Sequence, residues 1–298
     1  MMERRRRLTQ SLSTLLANSY WLFLGNSPIY QGPLKAVCFP GLNCYSCPAA
    51  AFACPVGAVQ NFATTLRMGL PSGHFGAYII GLLGLTGAFL GRIPCGWLCP
   101  FGFLQEWIYR IPTKKLSLPR VLRFGPYVFL ILFVLLLPAL LVDESGYGAL
   151  WFCKYICPAG TLEAGLPLMV LAPDLKQLIG VLFFNKVILL FIILGLCIFI
   201  SRFFCRVVCP LGAIYGLFNK TSWIRLEFHE HACVNCKACF KICPTGVSFF
   251  NGADSINTHA CIRCMKCYNI CPSDAVSISI GSMKSKTIIP DNTARTTP

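Results

Sequence analysis

Eight cysteines near the C-terminus form two copies of one pattern, and that pattern constrains the chain more than any other feature. Cys233, Cys236, Cys239 and Cys243-Pro244 make the first copy; Cys261, Cys264, Cys267 and Cys271-Pro272 make the second. Both read C-x2-C-x2-C-x3-C-P, the spacing in which the fourth cysteine of each run ligates the cluster of the other run. Two-residue gaps let a tight loop bring three sulfurs to one face of a cubane, and the Cys-Pro step sends the fourth to the neighbour. Cys233, Cys236, Cys239 and Cys271 are therefore expected to hold one [4Fe–4S] cluster, and Cys261, Cys264, Cys267 and Cys243 the other. Paired CxxC also binds zinc. Zinc sites, however, use two pairs, not three in a run plus a distant Cys-Pro, repeated.

Residues 226–281 thus read as an α+β domain of the bacterial two-[4Fe–4S] ferredoxin type, with the Ser-Ile alternation at Ile278–Ile280 as its last strand. The polar stretch 282–298 reads as a disordered tail. The remainder, residues 1–225, reads as a membrane domain. Mean hydropathy is +0.64 and only 12% of residues are charged, outside the soluble range. Four apolar runs approach the ~20 residues that cross a bilayer: Leu8–Leu24, Phe75–Ile93, Phe124–Val142 and Val181–Ser201. Leu166–Ala172 is too short and is expected to be interfacial or re-entrant. The predicted class is an α-helical membrane protein with four transmembrane helices and a C-terminal ferredoxin domain.

Charge sets the expected orientation. With both termini inside, only Lys35, Arg67, Lys154, Lys176 and Lys186 of the 26 Lys and Arg lie outside. That is the positive-inside asymmetry of a multi-pass protein of the cytoplasmic (inner) membrane. It accounts for the net charge of +15 without a nucleic-acid partner, and no basic-aromatic groove is present. Rossmann and P-loop glycine patterns and CxxCH are also missing.

Cys-Pro-x-Gly recurs at Cys54, Cys99, Cys157, Cys209 and Cys243, and three copies carry a cysteine four residues earlier: Cys95/Cys99, Cys153/Cys157 and Cys205/Cys209. The first and last of these pairs follow spans two and four on the same expected face. Two i, i+4 pairs at helix ends make a four-thiolate cage, so Cys95, Cys99, Cys205 and Cys209 are expected to hold a further [4Fe–4S] cluster at the inner face. Buried structural thiols and zinc are the alternatives. The outer face carries Cys38, Cys44, Cys47, Cys54, Cys153 and Cys157. Cys44-x2-Cys47-x6-Cys54-Pro55 reads as a cluster loop completed by Cys153 or Cys157; four of the six suffice, and disulfides are the competing reading on an oxidising face. Cys197 reads as packing.

The four spans, the CxxxCP motifs after spans two and four and the C-terminal module, together with Cys205-Arg206-Val207-Val208-Cys209-Pro210-Leu211-Gly212-Ala213-Ile214-Tyr215-Gly216, resemble the membrane-bound polyferredoxin family typified by NapH, over about residues 5–280. These are membrane iron–sulfur subunits of quinol dehydrogenases that feed periplasmic nitrate reductase. The resemblance implies electron transfer with quinone as a candidate substrate. The outer cysteine block and the third CxxxCP depart from the nitrate-linked members and bring the chain closer to uncharacterised 4Fe-4S membrane proteins of anaerobes. Neither nitrate nor quinol therefore carries over directly.

The resulting expectation is an electron conduit. A soluble ferredoxin or flavodoxin would meet Lys237, Lys241, Arg263 and Lys266 on the inner side, and an extracytoplasmic flavoprotein or reductase would meet the outer thiols. The alternatives are a membrane redox sensor, a metalloenzyme assembly or reductase factor, or an inert anchor for the ferredoxin head. Clusters at the two faces of a ~30 Å core are too far apart for one fast hop unless the spans bend the motifs inward or another group bridges them.

Overall fold

The structure is a computed structural model and describes residues 2–20, 29–67, 73–141, 148–172, 174 and 180–281. The expected tail 282–298 and the end of the first expected span, residues 21–24, lie outside the described residues. The helices run in chain order α1 (Met2–Ala17), α2 (Pro55–Arg67), α3 (Gly73–Leu90), α4 (Ile93–Trp97) and α5 (Pro100–Ile108). After them come α6 (Gly125–Phe129), a π-helical stretch Leu130–Leu136 and α7 (Leu137–Leu140), which continue one another. Next are α8 (Leu166–Leu171), α9 (Val181–Phe199), α10 (Phe203–Val207) and α11 (Pro210–Leu217). Strand β1 (Ile224–Phe228), α12 (Ala238–Ile242), α13 (Lys266–Ile270) and β2 (Val276–Ile280) form the C-terminal module.

Two helices, Arg120–Leu140 and Val181–Phe199, are long and apolar enough to cross a membrane; Phe75–Leu90 and Gly160–Leu171 are apolar but shorter. Of the four expected spans, two therefore meet the length among the described residues. Seven apolar side chains on α9, including Phe184, Ile188, Phe191 and Ile192, are exposed. A helix with that surface is matched to lipid rather than water.

Helix α1 carries the same inversion further. Its buried positions are Arg6, Gln10, Ser13 and Ala17, one helical stripe, while Leu8, Leu12, Leu15 and Leu16 are exposed. Arg6 and Gln10 donate to the Gly96 carbonyl (3.2 and 3.0 Å) and Ser13 donates to Leu98 O (3.0 Å). These are carbonyls at the end of α4, which has no following turn to pair them. The polar stripe is thus the packing face of this segment. On α3, the glycines differ in their surroundings. A Cβ at Gly87 would strike the Phe218 ring, whereas Gly81 and Gly84 meet nothing within 4 Å.

The module is a two-stranded antiparallel sheet, with Leu226 opposite Ile278 and Phe228 opposite Val276. The strand expected at Ile278–Ile280 begins earlier, at Val276. Leu226, Val247, Phe249, Ile256 and Val276 form its own small core. The larger core belongs to the membrane domain and includes Cys38, Cys54, Cys95, Cys99, Cys157, Cys205 and Cys209. All nineteen cysteines are free, so no disulfide joins the outer set.

Candidate iron–sulfur sites

Two small cavities in the module, each about 20 Å³, are lined by the crossed cysteine sets. One is lined by Cys233, Cys236, Cys239 and Cys271, the other by Cys261, Cys264, Cys267 and Cys243. The loops wrap them by the same backbone device. Asn235 and Lys237 flank Cys236 at φ of 54° and 60°, and Arg263 and Met265 flank Cys264 at 50° and 60°. Left-handed non-glycine residues cost about 1–2 kcal/mol each. Two per loop, one on either side of a cysteine, suit a concavity of backbone N–H groups that favours negative charge. The Cys-Pro turns match too. Val247 N donates to Cys243 Sγ (3.4 Å) and Ala275 N to Cys271 Sγ (3.3 Å). Asp274 takes the positive φ (49°) that Gly246 takes (67°), so the loss of the CPxG glycine in the last copy leaves the turn intact. Burial pushes the Cys261 thiol up to about 12, which favours a site whose bound cations stabilise thiolate.

In the membrane domain Cys95, Cys99, Cys205 and Cys209 are all buried. The two motifs that carry them clasp each other reciprocally. Arg92 Nη2 donates to Cys205 O (3.2 Å), and Arg202 Nη1 donates to Cys95 O (2.6 Å). Each arginine stands three residues before the first cysteine of its own motif. A Cβ at Gly102 would lie 3.1 Å from Arg202 Nη1, and one at Gly212 would strike Arg92 Nη2. The glycine of each Cys-Pro-x-Gly thus leaves room for the arginine of the other copy.

Gln105, fully buried, reaches across as well. Its Nε2 donates to Cys205 Sγ (3.1 Å) and Phe101 O (3.2 Å), and its Oε1 accepts from Phe204 N (3.1 Å). Tyr215, the counterpart of Gln105 in the second motif, is fully buried; burial first, and the nearby thiols of Cys95, Cys38, Cys54 and Cys99 after it, push its hydroxyl well above the ordinary phenol range. Its hydroxyl has no protein partner, and neither does Arg202 Nη2. Orphaned donors beside four thiols fit an additional acceptor, and the sulfur atoms of an iron–sulfur cluster are such acceptors.

A buried charge triad braces this site. Glu106 accepts from Arg6 (2.7 and 3.0 Å) and from Arg202 Nε (2.8 Å), tying α5 to α1 and to the turn before α10. Burial alone would raise the Glu106 carboxyl, but Arg202 and Arg6 outweigh it and hold it down to about 2.

The sites are stacked rather than dispersed. Against Gly96, beside Cys95, lies the second module loop. An added Cβ there would strike the Ile262 carbonyl and lie 3.7 Å from Cys264 Cα. Trp97 Nε1 donates to Arg263 O (3.0 Å), and Asn219 Nδ2 donates to Thr258 O (2.9 Å) and Cys261 O (2.7 Å). On the other side, a Cβ at Gly41 would lie 3.1 Å from Cys99 Cα. The segment that carries the expected outer thiols therefore packs against the motif that carries the expected inner ones.

The structure brings Cys44, Cys54, Cys153 and Cys157 to the wall of one cavity of about 530 Å³, together with Tyr45, Lys154 and Lys186. Cys38 and Cys47 do not line it. This arrangement, two thiols from each segment, differs from the expected loop of three completed by one. Cys47 Sγ instead faces Asn18 Oδ1 (3.7 Å), and the Cys38 backbone N–H donates to the Tyr78 hydroxyl (3.1 Å). Cys197 is fully buried against Gln105 Oε1 (3.5 Å).

Arg263 must be withdrawn from the expected docking patch. It is fully buried and donates to the carbonyls of Leu90, Ile224 and Asn219, pinning the module to the membrane domain. Lys266 is half-buried and pairs with Glu3 (3.6 Å). Lys237 and Lys241 remain exposed beside the exposed Cys236. Sequence reasoning missed Arg92, Gln105, Glu106, Arg202 and Tyr215. Their signal was their fixed offset from the Cys-Pro steps: three before the first cysteine or six to seven after the second.

A family model described as a 4Fe-4S binding domain matches residues 72–119, 124–166 and 182–229, and one described as a 4Fe-4S dicluster domain matches residues 225–279. An uncharacterized protein of Methanocaldococcus jannaschii is 30% identical over 180 residues, 60% of this chain and 62% of that protein. The methylamine utilization ferredoxin-type protein MauN of Paracoccus denitrificans is 32% identical over 57% of this chain and 53% of its own length. The ferredoxin-type protein NapH of Haemophilus influenzae is 27% identical over 51% and 47%. The chain therefore spans less than two thirds of the length of these curated relatives. No solved structure matches it.

Proposed function

We propose, for a chain that belongs to the NapH-type family of membrane-bound polyferredoxins, a role as an electron conduit leading from a cytoplasmic partner into the membrane domain and toward its outer thiols. The carrying observation is the stack: Cys264 beside Gly96 and Cys95, and Gly41 beside Cys99, in one packed core. An inert anchor for a ferredoxin head has no need of that continuity.

The residues fit this reading site by site. Cys233, Cys236, Cys239 and Cys271 hold the first cluster, Cys261, Cys264, Cys267 and Cys243 the second, and Cys95, Cys99, Cys205 and Cys209 the third. When bound, [4Fe–4S] groups supply one-electron chemistry at potentials set by charge, hydrogen bonds and solvent exposure. The chain supplies those settings. Arg92 and Arg202 place positive charge beside the inner thiols, Gln105 donates to Cys205 Sγ, and Phe101 and Phe204 share the buried core with all four cysteines. Four spans with both termini cytoplasmic agree with the charge asymmetry.

Lys237 and Lys241, exposed at the Cys236 tip, suit an acidic donor of the ferredoxin or flavodoxin class. Reduction by such a donor should slow as ionic strength rises, because exposed charges are screened within about 8 Å at 0.15 M salt. Lys237→Gln/Lys241→Gln should slow it at low salt and flatten the salt dependence; an unchanged profile would place docking elsewhere.

The central test is Cys95→Ser in the full chain, purified without oxygen. Iron should fall by about four per polypeptide, with the EPR signals of the module intact and flux from the donor to an outer acceptor lost. Unchanged iron and flux would leave the anchor or sensor reading standing.

A further inference from the structure

We infer that the outer half of the membrane domain is a second copy of the inner site, with Cys44, Cys54, Cys153 and Cys157 as the ligands of a fourth [4Fe–4S] cluster and Cys38 and Cys47 as bystanders. The inference deepens the conduit reading and rests on it. Residues 38–54 precede the segments matched by either family model.

A repeated hydrogen-bond frame carries the argument. Gln60 stands six residues after Cys54, as Gln105 stands six after Cys99. Both glutamines are fully buried. Gln105 bonds Cys205 Sγ and Phe204 N, as described above. Gln60 Nε2 donates to Cys153 Sγ (3.0 Å), and Gln60 Oε1 accepts from Phe152 N (3.0 Å). Phe152 precedes Cys153 as Phe204 precedes Cys205. Even the carbonyl four residues back is shared, Val56 for Gln60 (3.5 Å) and Phe101 for Gln105 (3.2 Å). A cation on the carbonyl of the first cysteine recurs too. Lys186 Nζ donates to Cys153 O (3.2 Å) where Arg92 donates to Cys205 O.

The frame equates Cys54 with Cys99, Cys153 with Cys205 and Cys157 with Cys209. The counterpart of Cys95 is position 50, which is alanine, so the fourth thiol comes from another part of the chain. Cys44 occupies the place. Its backbone N–H donates to Glu163 Oε2 (2.6 Å), and Glu163 stands six residues after Cys157, as Tyr215 stands six after Cys209. The cavity wall agrees: it holds these four cysteines and neither Cys38 nor Cys47. The spacing of Cys44 from Cys54 hides the copy from a search for CxxxCP.

Six serine variants test the assignment in the full chain, read as iron and acid-labile sulfide per polypeptide with EPR of the reduced protein. Cys44→Ser, Cys54→Ser, Cys153→Ser and Cys157→Ser should each lose about four irons, and Cys38→Ser and Cys47→Ser none. Loss from Cys38→Ser or Cys47→Ser with Cys44→Ser unaffected would overturn the ligand set. Full iron in all six would overturn the site. Cys95→Ser separates the two readings: if it loses iron while the outer six do not, the conduit survives and this inference fails. Gln60→Leu keeps every thiol and guards against a folding artefact. It should retain full iron yet shift one EPR signal, the one Cys153→Ser removes; a spectrum identical to the parent protein would remove Gln60 from the frame and the argument with it.

Discussion

Glu106→Gln is expected to lower the melting temperature of the protein at pH 7 by roughly 10 °C. The carboxylate is the close partner of two buried guanidiniums, Arg6 and Arg202, at 1% and 0% exposure; Glu3 stands farther from Arg6, at 4.0 Å. Removing one member of such a group costs about 3–5 kcal/mol, because the other charges stay buried without it. An independent route gives the same size. A carboxyl held from 4.5 down to about 2 contributes about 3 kcal/mol, at 1.36 kcal/mol per pKa unit. For a chain of this size that is a shift of about 2–4 °C per kcal/mol.

The sign of the pH dependence follows. A depressed acid stabilises the fold above its unfolded pKa and loses that contribution as the pH falls toward the folded one. The gap between parent and variant should therefore be full above pH 4.5, narrow below it and close near 2. Acid attack on iron–sulfur groups lowers both proteins alike, so the difference between them isolates the triad. Equal melting at pH 7 would mean that the arginines find water or other partners when Glu106 is gone.

What could be read from the sequence divides along a physical line. Ligand spacing is local, so the crossed sets of the module were visible as a pattern of two-residue gaps. Pairing between distant segments is not local. Nothing in Cys44-x9-Cys54 says that its partners are Cys153 and Cys157 rather than Cys47. That depends on Gln60 reaching across to Phe152 and Cys153. The packing role of the polar residues of α1 is hidden in the sequence for a related reason. Hydropathy averages all faces of a helix, and here the polar face is inside, capping the carbonyls of Gly96 and Leu98, while leucines face outward. Charge was read by count rather than by burial, which placed Arg263 on a docking surface although its guanidinium is spent on three backbone carbonyls.

The reciprocal clasp of Arg92 and Arg202 explains why the CxxxCP motifs at Cys95/Cys99 and Cys205/Cys209 occur together. One motif alone leaves the first-cysteine carbonyl without its cation and the Cys-Pro-x-Gly glycine without its neighbour. Two motifs complete each other, and the four thiols converge as a consequence. The positions just after the first cysteines then break the symmetry: Gly96 in one copy, Arg206 in the other. Only the glycine side admits the Ile262–Cys264 loop.

That asymmetry makes Gly96→Val the variant that should sever the conduit without removing a ligand. Gly96 has ordinary helical geometry within α4, and a side chain there would otherwise favour the helix, since glycine costs up to about 1 kcal/mol relative to alanine. The obstacle is across the interface, where the new Cβ meets the Ile262 carbonyl, a backbone atom that cannot rotate away. Overpacking of this kind costs about 1–3 kcal/mol, and each 1.4 kcal/mol lowers the ratio of docked to displaced module about tenfold. Iron should stay at the parent value because all the thiols remain. Electron delivery from the reduced module to an outer acceptor should slow, and the magnetic interaction between reduced sites in the module and the membrane domain should weaken. Gly96→Ala should give the same change in smaller measure. Arg206→Ala, on the opposite side of the pseudo-symmetric pair, should leave both readouts closer to the parent. Parent-like flux and spectra in Gly96→Val would show that the module passes electrons by another contact, and the stacked order of the cysteine sites would lose its functional meaning.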